Sequence, residues 1–125
     1  RSLVVHGFDG AISAVAADGG ARYYFEYLGE GELLKRSAAT KDQLARQGWE
    51  IDDQRHFETA VHVRWRRGSR ATQGYEVRDC WWLSSGKVLI SCEAQYPSDA
   101  EALSADELQA MCQSIEVSRL VSGKP

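Results

Sequence analysis

The chain predicts an α+β fold: a single antiparallel β-sheet with about two helices packed on one face. Three observations lead there. The stretch Tyr75–Tyr96 alternates apolar and polar residues at period two on both sides of a Ser-Gly pair, the mark of two half-buried strands joined by a tight turn. Asp9-Gly10 and Asp18-Gly19-Gly20 separate three further short runs that read as strands. Near the C-terminus the apolar spacing changes to that of a helix, at Leu108, Met111, Cys112 and Ile115. Strands, a short helix, more strands and a final helix make an α+β arrangement.

Residues 3 to 8 and 11 to 17 are the first two strands, turned at Asp9-Gly10. Residues 22 to 28 form the third, with Tyr23, Phe25 and Tyr27 on one face and Arg22, Tyr24, Glu26 and Leu28 on the other. Gly29 to Glu32 then reads as an acidic, flexible loop. Thr40-Lys41-Asp42-Gln43 has the form of a capping box, and Gly48 sits where a left-handed residue would end a helix. A short helix is therefore expected from about residue 41 to 47, with an earlier start in LLKRSAA as the alternative. Asp52-Asp53 reads as a polar connection. Residues 57 to 66 make a strand with Val61, Val63 and Trp65 inward and His62, Arg64 and Arg66 outward. Arg67-Gly68-Ser69-Arg70 is a basic turn.

In the Tyr75–Tyr96 hairpin, a turn centred on Ser85-Gly86 pairs Ser84 with Lys87, Leu83 with Val88 and Trp81 with Ile90. Glycine at that turn supplies the positive φ such hairpins favour. Ser98-x-x-Glu101 and Ser104-x-x-Glu107 are two further capping boxes, the second leading into the final helix. Residues 118 to 125 are expected to fray. The whole chain, 1 to 125, is read as one domain.

A net charge of −3 and a pI near 5.6 lack the basic character of most nucleic-acid binders. No apolar run approaches the roughly 18 residues that span a bilayer. The chain starts at Arg1 rather than Met, which fits an upstream segment that lies outside this sequence or a signal or lipoprotein segment removed by processing, the latter being the expectation. Three cysteines allow one disulfide with one thiol over. In the expected register Cys80 points away from Cys92, so a bridge across the hairpin is not expected. Cys112 lies on the apolar side of the last helix and Cys92 on the core side of its strand. If that helix packs on that face, Cys92 and Cys112 meet and can pair; three reduced thiols are the alternative.

No constellation argues for catalysis. His6, His56 and His62 are read as surface or edge residues; on one regular strand His56 and His62 would stand about 20 Å apart, too far for a shared metal. There is no HExxH, CxxC, GxSxG or phosphate-binding glycine loop. Cys80 lacks a Cys/His signature, and neither Glu30 with Glu32 nor Asp52 with Asp53 makes more than a charged loop. The run Arg64-Trp65-Arg66-Arg67-Gly68-Ser69-Arg70 suggests nucleic acid, but Trp65 faces inward by alternation and the arginines have plentiful acids to pair with. No cofactor and no metal are expected.

The outer face of the sheet then stands out. By parity it carries Arg22, Tyr24, Glu26, Arg64, Arg66, Glu76, Arg78 and Trp82. A bare face rich in Tyr, Trp and Arg has the composition of a protein-binding hot spot. The expected contact residues are Tyr24, Glu26 and Trp82, joined by Glu30 and Glu32 as an acidic prong.

The strand Cys92 to Pro97, the bend at Pro97, and the helix Leu108 to Ile115 closing on Ser114-Ile115 resemble the end of a small family. That family includes the photosystem-associated PsbP domain and the bacterial periplasmic DcrB-like domain. The resemblance covers roughly half the chain and implies an accessory or chaperone domain of an envelope complex. In type, a compact α+β domain with an acidic loop and one potential disulfide is also similar to the periplasmic immunity proteins of type VI secretion systems. That likeness implies a non-enzymatic inhibitor of a secreted peptidoglycan-degrading effector, and it is the preferred expectation. A small-ligand domain with a pocket between sheet and helix is the third.

Overall fold

A computed structural model describes residues 2–68, 74–115 and 117–122. Ser69 and Arg70 of the expected basic turn, and residues 123–125, lie outside the described residues. Seven strands form one sheet: β1 (Leu3–Phe8), β2 (Ala11–Ala16), β3 (Arg22–Glu30), β4 (Glu50–His56), β5 (Ala60–Arg67), β6 (Glu76–Ser85) and β7 (Val88–Pro97). Their spatial order is β1-β2-β3-β7-β6-β5-β4, with every neighbouring pair antiparallel. The helices are α1 (Leu33–Arg46), α2 (Glu101–Ser114) and α3 (Val117–Ser122), the last overlapping the stretch expected to fray. No helix among the described residues is long and apolar enough to cross a membrane.

The expected antiparallel sheet is present, but its two long helices lie on opposite faces. Leu108 and Cys112 of α2 join Ile12, Tyr23, Phe25, Val77 and Cys92 in one core. Leu44 of α1 joins Val61, Val63, Trp65, Cys80 and Trp82 in another. The register explains this: Val61 stands opposite Trp82 and Val63 opposite Cys80, whereas Trp81 stands opposite Cys92. Directly paired residues share a face, so the inward sets of β5 and β7 are on opposite sides. The central strand β6 is apolar on both faces and serves both cores. Alternation had placed Arg64 and Arg66 beside Trp82; they lie on the reverse side.

The central hairpin keeps its predicted faces but turns one residue later. Ser85 pairs with Val88 and Leu83 with Ile90, leaving Gly86-Lys87 as the two-residue loop. Gly86 has φ +66° at the first loop position, where a type II′ turn takes its glycine. A one-residue move of the turn shifts the register by two, so no side chain changes face.

Helix α1 begins at Leu33, the earlier start in LLKRSAA, eight residues before 41. Thr40 is inside it, and its hydroxyl donates to the Arg36 carbonyl at 3.4 Å instead of capping. Gly48, with φ +88°, does end it: Gly48 N–H bonds Ala45 O at 3.2 Å and Trp49 N–H bonds Leu44 O at 3.1 Å, the paired bonds of a Schellman motif. Neither later capping box caps. Ser98 opens a short 3-10 turn, α2 starts at Glu101, and Ser104 is buried mid-helix. Asp52-Asp53, read as a polar connection, lies within the edge strand β4, which has a bulge between Ile51 and Asp53. Glu50, Asp52, Asp53 and Arg55 carry no apolar alternation, and charge with a bulge suits an edge that must not pair further.

Candidate partner-binding surface

On the α1 side of the sheet, the helix covers β5 and β6 and leaves the β1–β3 half bare. Tyr24 pairs with Ser13 and with Glu93, Arg22 with Val15 and Gln95, and Val15 with Val4. These residues therefore share one face. Val4, Phe8, Val15 and Tyr24 are all exposed on it. Tyr24 stands between two hollows. One, about 220 Å³, lies between α1 (Arg36, Thr40, Gln43) and the sheet. The other, about 290 Å³, is floored by Ser13, Val15, Arg22 and Gln95. Tyr24 donates its hydroxyl to Glu26 at 3.1 Å, and partial burial followed by that carboxylate holds its phenol above the usual range. Arg78 is ion-paired to Glu93 beside it.

Of the expected contact residues, the structure brings together Tyr24 and Glu26. Trp82 is a correction: it is only 4% exposed, under α1, in edge-to-face contact with Trp65 at 6.0 Å. Glu30 belongs to β3 and not to a flexible loop. The register shift between Tyr27 and Gly29 places Glu30 opposite Val88, so the bulge turns it to the face opposite Glu26. Glu32 is the residue before α1, exposed and 3.4 Å from Lys35. The acidic prong therefore does not form as one unit. The members missed were Val4, Phe8 and Val15. Continuing the Phe8–Ala11 pairing through the Asp9-Gly10 turn would have found them, because it sets Val4 beside Val15.

A second polar cluster lies on the α2 side and was not anticipated. Asp79, 1% exposed, accepts hydrogen bonds from Arg64 at 3.2 Å and Tyr96 at 3.2 Å, and pairs with His62 Nε2. His62 is buried and stacks on Trp81 at 4.3 Å, so it is not the surface histidine expected. Nor do His56 and His62 share a strand: they lie on β4 and β5, one register step apart. Arg64 reaches Glu101 at 3.4 Å and Tyr23 donates to Glu107 at 2.9 Å, both fastening α2 to the sheet. Arg66 and Arg67 of the basic run are also engaged. Arg66 pairs with Glu50 and Asp52, and Arg67 with Glu76 while lying 4.6 Å over Trp49. Trp65 is buried as expected.

All three cysteines are buried and free. The Cys92–Cys112 disulfide is not formed, but the two thiols do meet. A hydrogen bond with Cys92, then burial, pushes the Cys112 thiol up. Burial does the same to Cys80, which makes it a poor nucleophile. Tyr96 is raised by burial and by Asp79. An acid whose folded pKa is raised stays protonated in the fold while its unfolded form ionises. Its contribution is intact below the unfolded pKa, 9.0 for the thiols and 10.0 for Tyr96, and is lost as pH rises above it. Thermal unfolding midpoints should therefore fall steadily above about pH 9. A midpoint that holds constant to about pH 10.5 would contradict that burial.

Among the described residues no group of His, Cys, Asp and Glu is placed to hold a metal ion. Neither any protein-family model nor any curated protein matches the chain.

Proposed function

We propose that this protein is a non-enzymatic protein-binding domain of the bacterial periplasm. Its partner is a secreted peptidoglycan-degrading effector of the type VI kind, which it neutralises as an immunity protein by covering the groove. The observation that carries the binding reading is the bare β1–β3 face, with Tyr24 exposed between two hollows. An aromatic flanked by concavities and apolar neighbours is the composition of an interface centre. Other chemistry has less support. Arg64, Arg66 and Arg67 are paired with acids, Cys80 is buried, and His62 is held against Asp79 under a tryptophan.

Capture on the immobilised domain from an envelope extract tests this. One stoichiometric hydrolase that loses activity in the complex is the expected result. Tyr24→Ala should then weaken that complex by at least about 2 kcal/mol, roughly 30-fold. Undiminished affinity in that variant would move the interface off this face. A multi-subunit assembly with intact activity would favour the accessory-domain reading that the resemblance to PsbP and DcrB-like domains implies.

A second reading has its own observation. The hollow between α1 and the sheet combines Arg36, Thr40 and Gln43 with Tyr24 and Ser91, groups that suit a small polar ligand. A ligand selective for the fold must raise its melting temperature. A thermal-shift panel of small polar molecules would find it, and Gln43→Ala should abolish the shift.

A further inference from the structure

We infer that the protein self-associates through β1, two copies pairing antiparallel about a two-fold axis perpendicular to the sheet, with Val5 opposite its own copy. The two edges of the sheet differ. On β4, charged side chains, a bulge and the ion pairs Arg66–Glu50 and Arg55–Asp53 block further pairing. Strand β1, Leu-Val-Val-His-Gly-Phe, has no Asp, Glu, Lys or Arg, no proline and no bulge, and Val4, Val5 and Phe8 are exposed. That is an edge open to another strand.

The hydrogen-bond pattern sets the register. Phe8 and Ala11 close the two-residue loop, and Ser2 O accepts from Ala17 N–H at 2.9 Å. Even-numbered residues of β1 therefore bond to β2, and the backbone groups of Leu3, Val5 and Gly7 point outward. In an antiparallel copy centred on Val5, Leu3 stands opposite Gly7 and every outward group finds a partner. No like charges meet along the seam. Because β4 is blocked, the contact is isologous and closes at two copies instead of extending into a fibre. A perpendicular axis keeps both bare faces on the same side, so Val4 and Phe8 of each copy border the seam. This inference is independent of the proposed effector: it concerns a second copy of this chain alone.

A six-residue seam is smaller than a standard interface of about 800 Å² per partner, so self-association should be weak. Sedimentation equilibrium over roughly 1–500 µM should show the 13.9 kDa chain converting to twice that mass. Val5→Lys sets two like charges opposite each other and should weaken dimerisation about tenfold, as should Val5→Glu. An equimolar mixture of the two variants should recover dimer. Val5→Pro removes an outward N–H without touching the β2 ladder and should be monomeric with an unchanged circular dichroism spectrum; if it fails to fold, the lysine and glutamate variants decide alone. A wild type that stays monomeric across the range, or a mixture that does not recover, overturns the proposal.

Discussion

Asp79→Ala is expected to lower folding stability by about 3–5 kcal/mol. The carboxylate is nearly inaccessible and gathers Arg64, Tyr96 and His62 from two neighbouring strands. Deleting it strands a half-buried guanidinium whose Nε already has no partner, leaving Glu101 at 3.4 Å as the counter-charge. Breaking a buried ion pair from one side costs far more than the pair is worth, because the remaining charge stays out of water. The cost should also appear in α2, which Arg64 ties to the sheet. Asp79→Asn keeps an acceptor for Tyr96 and should lose less. Urea unfolding with an unchanged m-value is the readout. A loss under about 1 kcal/mol would mean that water reaches the cluster and screens it.

Trp82→Ala should cost a similar amount, about 3–5 kcal/mol, through a cavity in the α1-side core. The indole packs edge-to-face on Trp65 and under Leu44 of α1. With this contact gone, α1 is held by Leu44, buried Ser37, partly buried Leu33 and the Schellman end at Gly48, without the large ring beneath it. Amide exchange within α1 should therefore accelerate more than in α2. Trp82→Phe should recover most of the loss, since a ring still fills the space. Any change in partner affinity on Trp82→Ala should vanish when corrected for the folded fraction; a residual loss would return Trp82 to the contact surface. Equal exchange in both helices would show that α1 is held by something other than this core.

Local chemistry in the chain determined the pieces that rest on a few adjacent residues. Asp9-Gly10 sets the first hairpin, and alternation over residues 22 to 28 shows which side of β3 is buried. Leu108 and Cys112 show which side of α2 faces the sheet. Gly48 ends α1 because its left-handed φ suits glycine. Of the candidate surface, Tyr24 and Glu26 were legible because they sit on one strand at a separation of two. What the chain could not show is how one strand's faces relate to another's. Parity groups Val61 with Trp65, but only pairing with β6 shows that they lie on the side of Trp82 and away from Cys92. That choice put a helix on each face, buried Trp82, left β1–β3 bare and gathered His62, Arg64 and Tyr96 around Asp79. Strand β4 was hidden for a related reason. Its residues are held by hydrogen bonds and ion pairs to β5, an interaction between distant segments that leaves no apolar period behind.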